Sequence, residues 1–485
     1  MERNEAFLNK AEALKPKLHT RTLTVSGGDK PLKRGERICL DLKEHLVGYV
    51  TLKLGFTGSH PDAPAWLRLQ FAEREQELAE NVEDYHGWIS SSWVQQEQIH
   101  VDVLPCELCL PRRYAFRYVQ LEVLDLSSKY ELTVEGISCQ AVSSADAEKL
   151  LPYTGEDEEL RQIDRVACRT LRDCMQLVFE DGPKRDRRLW IGDLRLQALA
   201  NYQTFRQNDL VKRCLYLFAG STLPGGRVGA GMFIEPEAEV DDTAMFDYSL
   251  FFLPVLLDYY RETGDLDTLR ELWPTGWRQL ELARDFFDES GLIRDSDALG
   301  WCFLDWNLEL NKQAGAQGVY LYCLRAAAEI AGILHETEKR ARIEADYEQK
   351  KAAALARLFD AELGLFISGD ARQLSWASQI WMVLGGAADG SVLERIARHP
   401  DAVGMVTPYL YHHYVQALLD VGQKEKALDV LRSYWGGMVK AGADTFWELY
   451  DPEDPDASPY GGTIVNSYCH AWSCAPAYFL RKYFG

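Results

Sequence analysis

Residues 143–179 read SSADAEKLLPYTGEDEELRQIDRVACRTLRDCMQLVF, and the texture of the chain changes within them. From Leu160 onward apolar side chains return every three or four positions, at Leu160, Ile163, Val166, Ala167, Leu171 and Met175, which is the period of an amphipathic helix. The pattern persists to the C-terminus, in LRLQALANYQTF (194–205), YSLFFLPVLLDYYRETGD (248–265) and GVYLYCLRAAAEIAGIL (318–334) among others. Gly-Asp, Gly-Gln, Asn and Pro breaks divide it into about a dozen helices. Periodicity alone fits a closed toroid of helix pairs and an open solenoid equally well. Upstream, from His19 to Val142, the runs are short and alternate apolar with polar residues: RTLTVSG, RICLDL, VGYVTLKLGF, AWLRLQFAE, IHVDVLP, AFRYVQLEVL and YELTVEGISC. Alternation of period two without intervening helices predicts antiparallel strands, hence a β-sandwich. The expected organisation is a β-sandwich domain over 1–145 and a helical domain over 146–485.

Composition narrows the function. The 485 residues are 47% hydrophobic and carry 53 Lys and Arg against 74 Asp and Glu, a formal charge of −21. That charge repels phosphate backbones and anionic lipid, so neither nucleic acid nor a membrane is an expected partner, while an acidic surface still permits a homo-oligomer. The N-terminus MERNEAFLNKAEALKPK lacks an apolar export signal and no run of 18 apolar residues occurs, which predicts a soluble cytoplasmic protein. Eleven scattered cysteines fit reduced thiols. Cys106-x-x-Cys109 has metal-like spacing but no second pair or neighbouring His, and no Asp-x-Asp-x-Asp-Gly loop occurs, so no metal or cofactor is expected. Thirteen Trp and 23 Tyr, as readily core as site, suit stacking on the C–H faces of sugars.

Two polar clusters stand out in the helical half. The first, DGPKRDRRLWIGD (181–193), lies between two helical segments; Gly182, Pro183, Trp190 and Gly192 set it apart from a merely solubilising charge run. The second joins TFWE (445–448) to NSYCHAW (466–472). Between them Asp242, Asp247 and Asp305-Trp306-Asn307 place acids at helix starts or in loops, where capping is the plainer explanation. Cleaving a glycosidic bond needs one protonated and one ionised carboxyl flanking it. The loops at one end of a helical barrel converge on its axis, so acids from two clusters about 260 residues apart can face each other there.

At these residues the chain resembles glycoside hydrolase family 78, the α-L-rhamnosidases, whose loop reads Asp-Cys-Pro-Gln-Arg-Asp-Glu-Arg-Leu-Gly-Trp-x-Gly-Asp; further echoes follow in order in DYSLFFLPVLLDYYRETGD, WCFLDW, GADTFWE and NSYCHAW. The resemblance implies an (α/α)6 barrel and an inverting, exo-acting mechanism releasing α-L-rhamnose or a similar deoxy-sugar or uronic acid from a small oligosaccharide or glycoside. It implies Glu448 as general base and Asp181, Arg185, Trp190, Asp193, Asp247, Asp305 and His470 around the sugar, with Trp306, Trp447 and Trp472 completing the contacts. Counting forward from Asp181 puts Arg187 at the family's acid position, and arginine donates no proton near neutrality. The loop is one residue shorter than the family's; counting back from Gly192-Asp193 gives Asp186 as general acid, with Asp193 in reserve. The alternative reading is a carbohydrate-binding protein that keeps the pocket without hydrolysis; a third is a helical scaffold whose polar loops are only caps.

Overall fold

The computed structural model describes residues 1–296 and 301–485. Six antiparallel strands, β1 (His19–Ser26), β2 (Arg37–Gly58), β3 (Ala65–Ala72), β4 (Gln96–Val101), β5 (Cys106–Asp125) and β6 (Tyr130–Ser143), pair in the order β1-β6-β2-β5-β3-β4. They form the expected antiparallel β domain, its strands joined in one continuous hydrogen-bonded order. The long central pair β2 and β5 slips register between Asp41 and Leu46 and again between Tyr49 and Thr51, and such bulges bend a strand. Leu42, Leu52, Leu67, Phe116 and Leu132 are buried in a single core of this domain.

The helices pair outer with inner along the chain: α2 (Glu158–Cys174) with α3 (Ile191–Gln203), α4 (Asn208–Gly220) with α5 (Phe246–Thr263), α6 (Leu266–Ala283) with α7 (Gln313–Ile333), α8 (Thr337–Arg357) with α9 (Trp376–Leu384), and α10 (Ser391–Ile396) with α11 (Pro408–Asp420). The sixth pair is α12 (Lys424–Val430) and α13 (Gly436–Lys440) with α14 (Ala475–Tyr483). Successive inner helices touch around the ring, and α14 packs back on α3 while His412 of α11 lies 4.9 Å from the ring of Phe479 on α14. The toroid is therefore closed. Burial follows composition: apolar α3 and α9 are enclosed on nearly every side, whereas charged α8 buries only Ile343, Lys350 and Ala354. Asp157, Asp265 and Thr407 cap α2, α6 and α11 by accepting backbone N–H groups.

One segment crosses the expected boundary at 145. Helix α1 (Glu5–Ala13), capped by Asn4, buries Leu8 and Ala11 against α4, and Asn4 N donates to Gly220 O at 2.8 Å. The first residues thus pack on the helical domain, although they were counted with the sheet. Among the described residues no helix is long and apolar enough to cross a membrane.

Candidate active site

The N-terminal ends of the inner helices gather both polar clusters. Ala471 N donates to Asp181 O at 2.8 Å, His470 N to Phe446 O at 2.9 Å and Glu448 N to Ser467 O at 3.0 Å, so the loops 181–193, 445–448 and 466–473 are stitched into one wall. Glycine permits the closest approach: a Cβ on Gly182 would lie 2.4 Å from Arg185 O and 2.6 Å from Ser467 Oγ. On Gly192 it would sit 2.4 Å from the Tyr248 ring.

Arg185 is the centre of this wall. Its Nε donates to Val465 O at 3.0 Å, one terminal nitrogen forms a short ion pair with Glu448, and the other lies 3.7 Å from Asp186 Oδ1. The guanidinium of Arg185 thus lies between the two carboxylates. Glu448 also accepts a short hydrogen bond from the Tyr460 hydroxyl, and the Tyr460 ring lies 4.1 Å from the Arg185 guanidinium. Burial lifts the Glu448 carboxyl above its usual value, with Arg185 and Tyr460 opposing. Asp186 is the more open of the two acids, its side chain 23% exposed against 7% for Glu448.

The remaining arginines turn away. Arg187, in the left-handed region at φ 63°, reaches Gln95 of the sheet domain at 3.4 Å, and burial with the neighbouring Arg113 lowers it to about 10. Arg188 pairs with Asp241 at 2.9 Å and lies over the Phe233 ring. Asp181 shapes the loop itself, accepting from Asp186 N and Arg188 N, both at 3.1 Å; burial and the charge of Asp186 push its carboxyl up to about 8. Deeper in, Asp193 Oδ1 and His470 Nδ1 face each other at 3.8 Å, and both are buried without a hydrogen-bond partner. Burial, reinforced by Asp181, holds Asp193 well above the carboxylate range, and burial with Arg185 keeps His470 well below its usual value. Trp190 and Trp306 are half-buried, and Trp472 donates its indole N–H to Glu448 O at 2.9 Å. A cavity of about 560 Å³, lined by Arg195, Asp258, Tyr322 and Gln416, opens at the opposite end of the inner helices and shares none of these groups.

The family model described as the glycosyl hydrolase family 78 α-rhamnosidase N-terminal domain matches residues 7–141, and the bacterial α-L-rhamnosidase six-hairpin glycosidase domain matches 153–484. The chain belongs to glycoside hydrolase family 78. It is a glycosidase. A rhamnosidase from Klebsiella oxytoca with rhamnose bound is 47% identical over 99% of each chain, with a TM-score of 0.96. A family 78 rhamnosidase of Bacillus sp. GL1 is 24% identical over 92% of this chain and 46% of its own (TM-score 0.78). The Streptomyces avermitilis α-L-rhamnosidase complexed with L-rhamnose is 16% identical over 96% and 44% (TM-score 0.68); these last two share the fold. Comparison with curated proteins finds no match.

Within this family 78 site three expected sugar contacts are otherwise engaged. Both oxygens of Asp247 accept Phe303 N at 3.0 Å, and one accepts Leu304 N at 3.1 Å. Asp305 accepts Val406 N, Thr407 N and the Thr407 hydroxyl at 2.8, 3.0 and 2.6 Å; burial pushes it up to about 6. These carboxylates tie the loops that enter α7 and α11. Trp447 gives its face to the guanidinium of Arg74, 4.3 Å away, and its edge to Tyr468 and Tyr450. Conversely, sequence reasoning missed Tyr460, which carries no motif, and the sheet domain's share in the site. Residues between β3 and β4 reach across: Glu77 forms a buried ion pair with Lys184, and Tyr85, Ile89 and Val94 pack on Tyr460, Ile464 and Val465.

Among the described residues one buried group has metal-like proximity: His45, Asp173 and Cys469. His45 Nδ1 lies 2.8 Å from Asp173 and Nε2 3.1 Å from Glu73, so both ring nitrogens serve as donors to carboxylates. Burial opposes the charge, but Cys469, Asp173 and Glu73 raise His45 well above its ordinary value. The imidazolium bridges the sheet and helical domains.

Proposed function

We propose that the chain hydrolyses a terminal α-L-rhamnoside by inversion, with Asp186 as general acid and Glu448 as general base. The observation that carries this reading is the single guanidinium of Arg185 bracketing two carboxylates that come from distant parts of the chain. The rhamnose in the Klebsiella oxytoca structure, at 47% identity over 99% of the chain, supports the choice of sugar.

The chemistry follows from the surroundings of each acid. Asp186, partly open to solvent, meets the departing glycosidic oxygen and gives it a proton. Glu448, buried and oriented by Arg185 and Tyr460, takes the proton of a water on the other face of the ring. Asp193 and His470, whose facing atoms lack partners, are free to bind sugar hydroxyls, and half-buried Trp190 offers a flat wall. Arg187 points to Gln95 and away from Asp186, so it does not occupy the place of the acid.

The test is hydrolysis of 4-nitrophenyl α-L-rhamnoside by the wild type and by Glu448→Gln, with the anomer of the first product read by NMR. The wild type should release the inverted anomer; Glu448→Gln should bind rhamnose by calorimetry and fail to turn over. Retention of configuration, or full activity of Glu448→Gln, would refute the assignment.

A further inference from the structure

Trp88 is an aromatic side chain that nothing in the fold requires to be where it is. It lies in the excursion between β3 and β4, its ring is 66% exposed, and its indole N–H donates to Pro459 O at 2.7 Å. One edge is thereby fixed while most of the side chain stays exposed. Its ring centre is 5.4 Å from that of Tyr460 and 6.4 Å from that of Trp306. Tyr460 is the residue whose hydroxyl holds Glu448, so the ring sits one side chain away from the base. Exposure rises steadily along this path, from buried Glu448 and Tyr460 through half-buried Trp306 to Trp88, with Leu308 88% exposed on the Trp306 loop.

A lone exposed tryptophan needs no explanation. Two tryptophans and a leucine at the rim of a catalytic recess, one tryptophan anchored by its N–H and supplied by a different domain, form a prearranged apolar platform. On the proposed reading, a sugar held at Asp193 and His470 would carry its aglycone toward this rim, where exposure increases. We infer that Trp88, with Trp306, is the binding surface for a planar aromatic aglycone, and so sets selectivity between aryl and alkyl glycosides. An aromatic face prefers a flat ring to an aliphatic group of similar position, and immobilising the indole beforehand spares ordering entropy on binding.

The inference rests on the rhamnosidase reading, and the experiment separates the two. For the wild type, Trp88→Ala and Trp88→Phe, kcat and KM are measured on 2-naphthyl and methyl α-L-rhamnosides, and the quantity read is the ratio of the two kcat/KM values. Trp88→Ala should lower that ratio about tenfold, chiefly through KM for the naphthyl substrate. Trp88→Phe, which keeps a ring and loses the N–H bond to Pro459, should retain most of it. Equal losses on both substrates would mean that Trp88 serves the fold or the chemistry, and an unchanged ratio would mean that it binds nothing; either overturns the inference. So would a wild-type oligomer that Trp88→Ala dissociates in sedimentation velocity, because the ring then covers a second copy of the chain. A wild type inactive on both substrates would refute the rhamnosidase reading and the platform with it.

Discussion

Replacing Arg185 by methionine removes the one cation that faces both carboxylates while nearly preserving volume. Glu448 would then be a buried acid whose remaining partner is the Tyr460 hydroxyl, and the pair Arg185–Glu448 is itself enclosed, 5% and 7% exposed. Leaving a buried charge without its counter-ion costs about 3–5 kcal/mol. At about 1.36 kcal/mol for each pH unit, and allowing for water that enters the space, the carboxyl of Glu448 should rise by about 2 to 3 pH units. The sign is fixed: losing a cation disfavours the carboxylate, so the ionised base appears only at higher pH. The acid limb of kcat/KM against pH on 4-nitrophenyl α-L-rhamnoside should move upward by that amount, and activity well below the wild-type limb should fall by about a hundredfold or more. The other limb should move less, since Asp186 lies 3.7 Å from the guanidinium and is partly solvated. Arg185→Lys restores charge without the fork and should recover part of the displacement. An acid limb that stays in place in Arg185→Met would refute the claim that this guanidinium governs the base.

Three further outcomes can be checked on the full chain by urea unfolding. Lys184→Met strands Glu77, which burial already pushes up to about 7, and should cost about 3–5 kcal/mol, whereas the double variant with Glu77→Gln should recover most of it; additive losses would contradict the pairing. Asp181, with its folded carboxyl at about 8 against an ordinary 3.8, contributes stability that is complete below about pH 4 and lost as pH rises through 8. Asp181→Asn should therefore gain on the wild type across that window, by up to about 5 kcal/mol, and a difference independent of pH would show the carboxyl to be ionised throughout. Asp305→Ala leaves the N–H groups of Val406 and Thr407 unsatisfied and should destabilise by about 3 kcal/mol or more, with Asp305→Asn milder; a neutral effect would remove its role as a loop tie.

The helical half was legible because its signal is local. Period and breaks in segments such as those of α2, α5, α6 and α11 reveal a helical domain of about a dozen helices, and the loop DGPKRDRRLWIGD is recognisable as a contiguous string. Closure of the ring, by contrast, depends on α14 meeting α3 and on His412 meeting Phe479, contacts between segments far apart that no window of sequence contains. The antiparallel β domain was legible from its alternation of period two, whereas the bulges of β2 and β5 are register events without a distinctive residue pattern. Within the site, Asp247 and Asp305 have the right type and place in the chain for a sugar ligand, and only their partners reveal that they bind backbone instead. Tyr460 was invisible for the opposite reason. It lies in a Pro- and Asp-rich loop, DPEDPDASPYGG, whose composition suggests solvent, and it is buried because the sheet domain folds over it.

That folding-over has a consequence for how the chain can be divided. Lys184 in the first polar loop finds its counter-charge on Glu77, and Val465, whose carbonyl orients Arg185, rests on Val94 and Ile89. The loops that carry Arg185 and Glu448 are thus braced from the neighbouring domain, and α1 clamps the toroid from the outside at Gly220. Cutting near residue 146 would yield a ring with correct helices and a slack mouth. Any attempt to transplant this catalytic barrel, or to trim it to a minimal enzyme, has to carry its N-terminal companion along.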